Sequence, residues 1–537
     1  MHSSPFKNCV NPTDSANTLS LPHILIRNTV WNFASQGWFL ILVFLTTPYI
    51  VHKLGTSAYG VLSMVTVVIG YFGFLDLGLG QAVIKYVSEY YAKRDYDTIR
   101  KIISTALAVY FLMGSIGAAI IVSLTTVLVT RVLKIPSNLI SVSSSVFYIS
   151  AIGFLINMPL NVFGSIPKAL QRFDIANKLG ICLGSLQTFL TVLLLYLGFF
   201  LKEIVILNLL TSIASIAVYL IVSKRLLPQV QMKPAFSRDM FINLLRFGGF
   251  ITLGKITVPI GTQMGRFFIG VFHPISLVSY YTIAYTLAAK LWIIPQNIVS
   301  AIFPTTSELF SQNQKTTLHE LHLRSTKYIM IGVVPITALL IVFAEEILSL
   351  WMGADFAARS AFPLRLLALA TLVSSSAWTS VTAAKGAGRP DIPAKVQVLQ
   401  AAINVIFCLL LIPRWGINGA AVAWLIHHLI GIPLIIGITN REVVKMPNLE
   451  FIKGGLGIPL VVGGTIPCLL IPFRPFMSDL TVLISSFVFI GIVYAIVAYF
   501  AILDAKDRSS ASDYLHHLLR TTFAVHGFKA WLNRSGD

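Results

Sequence analysis

Charge is scarce in this chain. Only 11% of its 537 residues are Asp, Glu, Lys or Arg, and acidic residues number 21 against 40 basic ones. Water-soluble globular proteins carry about 25% charged residues and break up long apolar runs, so a soluble enzyme is excluded at the outset. Cysteine is scarce too. Cys9, Cys182, Cys408 and Cys468 are scattered, form no CxxC pair and have no His at metal-ligand spacing, which argues against a disulfide framework and against a metal site. No Walker A, HExxH, GxSxG or paired-carboxylate motif occurs, and no large polar domain exists to host one. The chain therefore reads as a non-enzyme with no catalytic residues, no cofactor and no ATP-driven step of its own. The first twenty residues lack the basic start and apolar core of a signal peptide and are expected to be a disordered cytosolic tail.

Apolar residues are abundant instead, at 56% of the chain, and the mean hydropathy is +0.80. With about 20 residues per bilayer crossing, spans are expected near 27–51, 58–82, 102–130, 139–164, 179–199, 203–223, 247–272, 278–303, 328–350, 362–384, 394–412, 418–439, 455–472 and 480–503. The predicted fold class is an all-α polytopic membrane protein of about fourteen transmembrane helices. An even number puts both termini on one side. Alternate connections then hold 29 basic residues on the side of the termini and 8 on the other. By the positive-inside rule the first side is cytoplasmic. The net charge of +19 is thus mostly topological, and nucleic acid is not expected as a partner. The stretch Lys85–Lys101 mixes Tyr86, Tyr90, Tyr91 and Tyr96 with both charge signs, which suits a helix at the headgroup level. The tail at 504–537 reads equally as a basic interfacial helix or as unstructured chain.

The segment His52–Gly60 occupies the same place between two spans as His273–Tyr281, six helices later. This offset gives a parallel pseudo-two-fold repeat of two six-helix lobes, and transporters with two such lobes usually bind substrate between them. The expected organisation is a cytosolic tail (1–22), an N-terminal lobe of helices 1–6 (23–223), a cytoplasmic linker (224–246), a C-terminal lobe of helices 7–12 (247–440), helices 13 and 14 (441–503) and a cytosolic basic tail (504–537).

Polar residues inside spans are costly, at about 2.5–3.5 kcal/mol for a charge on insertion scales, and normally face protein or water. On the seventh span Lys255, Thr262, Gln263 and Arg266 share a face with Pro259. Lys255 lies ~12 Å and Arg266 ~28 Å from its cytoplasmic end. On the eighth span Thr286, Lys290 and Asn297 share a face, with Lys290 ~18 Å deep. These residues outline a cationic substrate-binding cavity; for Arg266 the competing reading is snorkelling to the outer interface. In the N-terminal half Asn28, Asn32 and Gln36 form one stripe and Asn157 and Asn161 another, read as cavity lining or as helix-packing amides. Asp76, ~27 Å along its helix, is a gate ion pair, a proton site or a solvated rim residue. His427 and His428 read as satisfied packing histidines rather than a proton relay. Prolines 159, 259, 295, 335 and 433 interrupt spans and suit bent helices.

Leu54-Gly55 with Ala58-Tyr59-Gly60, Leu75-Asp76-Leu77-Gly78-Leu79-Gly80 and Ala169-Leu170-Gln171-Arg172-Phe173-Asp174 carry a family resemblance. So do Tyr281 with Ala284-Tyr285, Phe303-Pro304, Gly386-Ala387-Gly388-Arg389-Pro390 and Gly416-Ile417-Asn418-Gly419-Ala420-Ala421. Their order resembles the polysaccharide transport (oligosaccharide flippase) family of the multidrug/oligosaccharidyl-lipid/polysaccharide (MOP) exporter superfamily. The resemblance implies a flippase of the bacterial inner membrane that moves undecaprenyl-pyrophosphate-linked oligosaccharide by alternating access, for cell-surface polysaccharide. It implies this lipid-linked oligosaccharide as substrate, membrane lipid as surroundings and other polysaccharide-assembly proteins as candidate partners. One departure stands out: where such proteins often have an acidic residue, this chain reads Gln263-Met264-Gly265-Arg266. The coupling ion, H+ or Na+, is therefore left open. The alternatives are a drug/cation antiporter of the same superfamily, which would want acidic residues in its cavity, and a membrane polysaccharide polymerase, which would need a large external loop.

Overall fold

In a bilayer core every backbone N–H and C=O must be satisfied internally, which leaves helices as the means for a single chain without a closed barrel. The computed structural model is helical almost throughout. It describes residues 21–230, 236–468, 471–476, 479–504 and 508, with side chains from Ser35 onward and excepting several between 247 and 255 and between 466 and 480. Most of the expected tails, and the side chains of Asn28, Asn32 and Lys255, lie outside the described residues. Among the described residues ten helical stretches are long and apolar enough to cross a membrane; two of them, Ser35–Asp76 and Asp391–Val444, each hold a pair of expected spans. The chain is a polytopic all-α membrane protein.

The chain forms two compact units, one running to Pro259 with Pro274–Ser276, the other comprising Ile260–His273 and Leu277 onward. The first holds α1 (Leu21–Tyr71), α2 (Leu79–Ala92), α3 (Tyr96–Val127), α4 (Ile140–Ala169), α5 (Phe173–Tyr196), α6 (Leu201–Leu226) and the start of α7 (Arg238–Phe272). Its core is built by α2, α3 and α4, with Val83, Ile99, Ile102, Tyr110, Phe154 and Ile166 buried together. Two expectations are corrected here. The span expected at 58–82 is not continuous: a 3-10 turn over Phe72–Asp76 is followed by Leu77 at φ 49° and Gly78 at φ 67°, and α2 starts afresh at Leu79. Gly78 abuts Gly248 of α7 so closely that a Cβ would lie 2.5 Å from the Gly248 carbonyl oxygen. Both the left-handed turn and the close approach require glycine. The single headgroup helix expected over 85–101 is two helices, because Asp95 starts α3: its carboxylate accepts from the Thr98 hydroxyl at 2.6 Å and from the Thr98 N–H at 2.9 Å. Those two bonds hold the Asp95 carboxyl below the usual carboxylate range.

The second unit holds α8 (Ser276–Ala289), α9 (Ile293–Ser311), α10 (Lys315–Val342), α11 (Ala344–Met352), α12 (Ala354–Ser375), α13 (Trp378–Gly386), α14 (Asp391–Thr439), α15 (Asn448–Phe451), α16 (Ile458–Cys468) and α17 (Leu480–Ala501). The eighth expected span is divided by a 3-10 turn at Lys290–Trp292, and Pro295 falls in the first turn of α9, where its missing N–H costs nothing. The two spans expected at 394–412 and 418–439 are halves of α14, which reverses at Gly416 with φ 54°. Helix α10 starts at Lys315, well ahead of the expected 328, because polar ends still complete helical hydrogen bonds. There Lys327 reaches Asp504 at 2.9 Å and His322 faces Asn440 at 3.2 Å. Further along, α10 forms with α17 an open groove of about 580 Å³ lined by Pro335, Leu339, Phe487, Gly491 and Tyr494.

Candidate functional site

The second unit carries a buried cation. Arg266 is 8% exposed, and its guanidinium lies over the ring of Tyr285, 4.6 Å from the centroid. Its Nε has no hydrogen-bond partner, and no carboxylate pairs with it among the described residues. One turn earlier on the same face, the Gln263 side-chain oxygen is also buried without a partner. Three packing features fix this geometry. Gly265 lets α8 approach α7: a Cβ there would be 3.1 Å from the Tyr281 hydroxyl. Asn404 on the first half of α14 donates to the Gly261 carbonyl at 2.9 Å. Tyr281 and Tyr285, one turn apart on α8, stack at 6.3 Å, and Trp424 on the second half of α14 meets Tyr285 edge-on at 5.5 Å. The Arg266 charge is thus balanced by an aromatic face, worth about 2 kcal/mol when desolvated, rather than by an anion.

Lys290 lies five residues beyond Tyr285, at the break between α8 and α9. It is half-buried, with no ion pair or hydrogen bond among the described residues. Two residues on, Trp292 approaches Trp424 at 6.3 Å and donates to Ser374 at 2.9 Å. The unit therefore sets Arg266, with Gln263 one turn away, against a ladder of Tyr281, Tyr285, Trp424 and Trp292, and carries Lys290 at the helix break between Tyr285 and Trp292. Asn297 does not join them through its donor, since its amide nitrogen is bonded to the Ile293 carbonyl of its own helix at 2.7 Å. Snorkelling fails as an account of Arg266, whose head is held inside the unit.

In the first unit Asp76 ends the 3-10 turn and accepts the hydroxyl of Tyr110, a fully buried residue of α3. A Cβ at Gly80 would lie 3.5 Å from the Tyr110 hydroxyl, 3.6 Å from Ser165 Oγ and 3.9 Å from Asp76 Oδ1, so the carboxylate sits in a small polar nest at the helix break. Tyr110→Phe is expected to leave the fold intact but to release Asp76, seen as faster hydrogen exchange over residues 72–80. Unchanged exchange there would show that the bond positions nothing. Elsewhere in this unit a cavity of about 170 Å³ is lined by Thr66, Ser150, Asn157, Asn208 and Ser212 among others. Asn157 is exposed toward it and donates to its own Gly153 carbonyl at 2.9 Å, while Gln187 donates to Asn208 at 2.7 Å. Asn161 is exposed and Gln36 half-buried; neither lines that cavity.

The sequence profile described as "Polysaccharide biosynthesis protein" matches residues 54–361, more than half of the chain. The chain belongs to this polysaccharide biosynthesis family. It is similar to the putative O-antigen transporter of Shigella flexneri, with 22% identity over 410 residues, covering 75% of this chain and 94% of that one. Its fold is that of the MOP superfamily. The lipid II flippase MurJ in an inward closed conformation superposes with a TM-score of 0.65 at 13% identity, covering 88% of this chain and 99% of that one. An inward-facing multidrug resistance MATE family transporter superposes at 0.64 with 15% identity, over 78% and 95% of the two chains. The family resemblance carried by the short motifs is borne out: the chain is a multi-pass membrane protein of the polysaccharide biosynthesis family, with the fold of MOP superfamily transporters.

Several residues of the site were not singled out from the sequence. Tyr281 and Tyr285 figured only as a family motif, although their i, i+4 spacing on the span of Lys290 is the signal that puts them on one face. Trp424 and Asn404 carried no signal, because the site residues they meet, Tyr285 and Gly261, lie on other helices. The reading of His428 as a satisfied packing residue is not met, since both its ring nitrogens are buried without a partner, whereas His427 keeps the Ala423 carbonyl of its own helix as a neighbour.

Proposed function

We propose that the protein is a flippase that carries an oligosaccharide linked through pyrophosphate to a long isoprenoid lipid, undecaprenol, across the bacterial cytoplasmic membrane by alternating access. In this reading both termini are cytoplasmic, the two compact units act as six-helix lobes, and other polysaccharide-assembly proteins supply and consume the cargo. The observation that carries it is Arg266: a buried guanidinium with an unpartnered Nε, laid on an aromatic face and free of any carboxylate among the described residues. Such a group is short of an anion, and a pyrophosphate crossing a low-dielectric slab is short of a cation. Gln263 offers a neighbouring polar atom and Lys290 a second positive charge on the same unit. Lys255, which the sequence places on α7 in the other unit, is proposed as a further substrate-binding cation. Asp76 is proposed as a gate or coupling residue, held at the helix break by Tyr110.

The test is flipping of lipid-linked oligosaccharide by the purified protein in proteoliposomes. Lys290→Ala and Lys255→Ala are each expected to slow transport about tenfold or more, the effect of removing one charge-assisted contact to a phosphate, while insertion is unchanged. Wild-type rates in both variants would sink these assignments. A drug/cation antiporter is the competing reading, and it is disfavoured because the buried, unpaired charge is positive. Transport of organic cations without transport of lipid-linked glycan would reverse that preference.

A further inference from the structure

The histidine pair on α14 has no part in the reading above. His427 and His428 are 3% and 8% exposed, their ring centroids lie 4.0 Å apart, and both rings meet Trp424, at 4.8 and 5.0 Å. A neutral imidazole has one donor and one acceptor nitrogen. Here Nδ1 of His427 and both nitrogens of His428 have neither. Two phenylalanines would fill such a space without stranding polar atoms, so packing does not explain why imidazoles stand there. Unpaired ionisable groups at membrane depth mark functional positions, and buried polar atoms left unsatisfied in one state point to a use in another.

Among the described residues the surroundings supply neither a metal-ligand set nor an ion-pair partner, which leaves a proton as the ligand that two adjacent imidazoles can share. No group of three or more His, Cys, Asp or Glu residues that could hold a metal exists among the described residues. The titratable and charged neighbours are few. Arg266 of α7 and Tyr281 and Tyr285 of α8 lie beyond Trp424. The first half of α14 brings Cys408, whose thiol faces Asn404, and Gln400. Helices α12 and α13 also pack on α14, and no charged side chain from them or from any other element is in hydrogen-bond, ion-pair or ring contact with either imidazole among the described residues. Gln400 presents a buried amide nitrogen without a partner against Gly431, one turn beyond His427.

We propose that His427 and His428 form a proton-binding site that holds one proton between them, and that its charge is felt at Arg266 through Trp424 and Tyr285. One proton is the limit because two positive rings at this separation repel. The ring contacts are continuous: imidazole to indole, indole to phenol, phenol to guanidinium. A charge gained at the pair strengthens the hold on an anion at Arg266, and its loss weakens it. That consequence rests on the proposed anion-binding role of Arg266; the proton site itself does not.

The experiment titrates the full-length protein in nanodiscs over roughly pH 4 to 8, the range histidine can reach in proteins, with and without inorganic pyrophosphate. Imidazolium in contact with indole quenches its emission, so Trp424 is a built-in reporter. Wild-type emission is expected to fall as pH is lowered. The fall should be lost in His427→Phe/His428→Phe and in Trp424→Phe. Histidine nitrogen chemical shifts in the wild type give a second measure that needs no variant, with the pair assigned by difference from His428→Phe. Two imidazoles that stay neutral throughout, or a Trp424-dependent response that survives loss of both histidines, would overturn the proposal. A titration that persists while pyrophosphate fails to bind supports the proton site and overturns the anion-binding reading instead.

Discussion

Arg266→Ala is expected to reduce flipping of lipid-linked glycan by about 30-fold at least, the equivalent of the ~2–5 kcal/mol lost when one partner of a buried charge pair is truncated. The same change should leave stability in detergent nearly unaltered. Two magnitudes decide this. Losing the contact with Tyr285 forfeits about 2 kcal/mol, while removing an arginine from membrane depth relieves about 2.5–3.5 kcal/mol. No carboxylate is orphaned, because none pairs with Arg266 among the described residues. Arg266→Lys keeps the charge but not the planar stack, and should fall between wild type and alanine. Transport rates and thermal unfolding measured on the same preparations separate a substrate contact from a structural one. If Arg266→Ala unfolds and transports in proportion, the residue is structural and the proposed site is wrong.

The second large effect concerns stability. At Gly248 of α7 a Cβ would lie 2.1 Å from the backbone oxygen of Leu77, and at Gly261 of the same helix it would meet nothing within 4 Å. Glycine to alanine in a helix interior is ordinarily favourable by about 1 kcal/mol. Gly261→Ala should therefore be neutral or stabilising. Gly248→Ala should be destabilising by about 1–3 kcal/mol or more, the cost of overpacking, because the atom in the way is backbone and cannot rotate aside. The strain would fall on the turn at Asp76–Gly78, which already holds Leu77 and Gly78 at positive φ. Thermal or denaturant unfolding of the two variants side by side is the measurement. Equal stabilities would show that α7 does not press on this turn.

The all-α membrane class was legible because hydropathy, helix length and the distribution of Lys and Arg report one physical fact, the thickness and sidedness of the bilayer. The family was legible because its motifs sit at helix ends, where glycine and proline geometry is demanding. Local breaks were not. The apolar run over 58–82 hides the turn at Leu77 and Gly78, since hydropathy does not register a left-handed backbone. Depth along a helix identified Arg266 as unusual but could not tell an interface from an interior. That distinction depends on Tyr285, which belongs to another helix. For the same reason His427 and His428 looked like ordinary packing residues: a satisfied and an unsatisfied imidazole have identical sequence signatures, and only the neighbours differ.

Pro259 stands where the chain passes from one compact unit to the other, in the middle of α7 rather than in a loop. A proline has no N–H to give the carbonyl four residues before it, and that carbonyl belongs to Lys255. The helix is therefore one bond short at its crossing point, and bending it there disrupts less than bending an intact turn. It also means that the backbone oxygen of Lys255 is available to water, to a neighbouring hydroxyl or to a cation, so a residue picked out for its ammonium group contributes an acceptor as well.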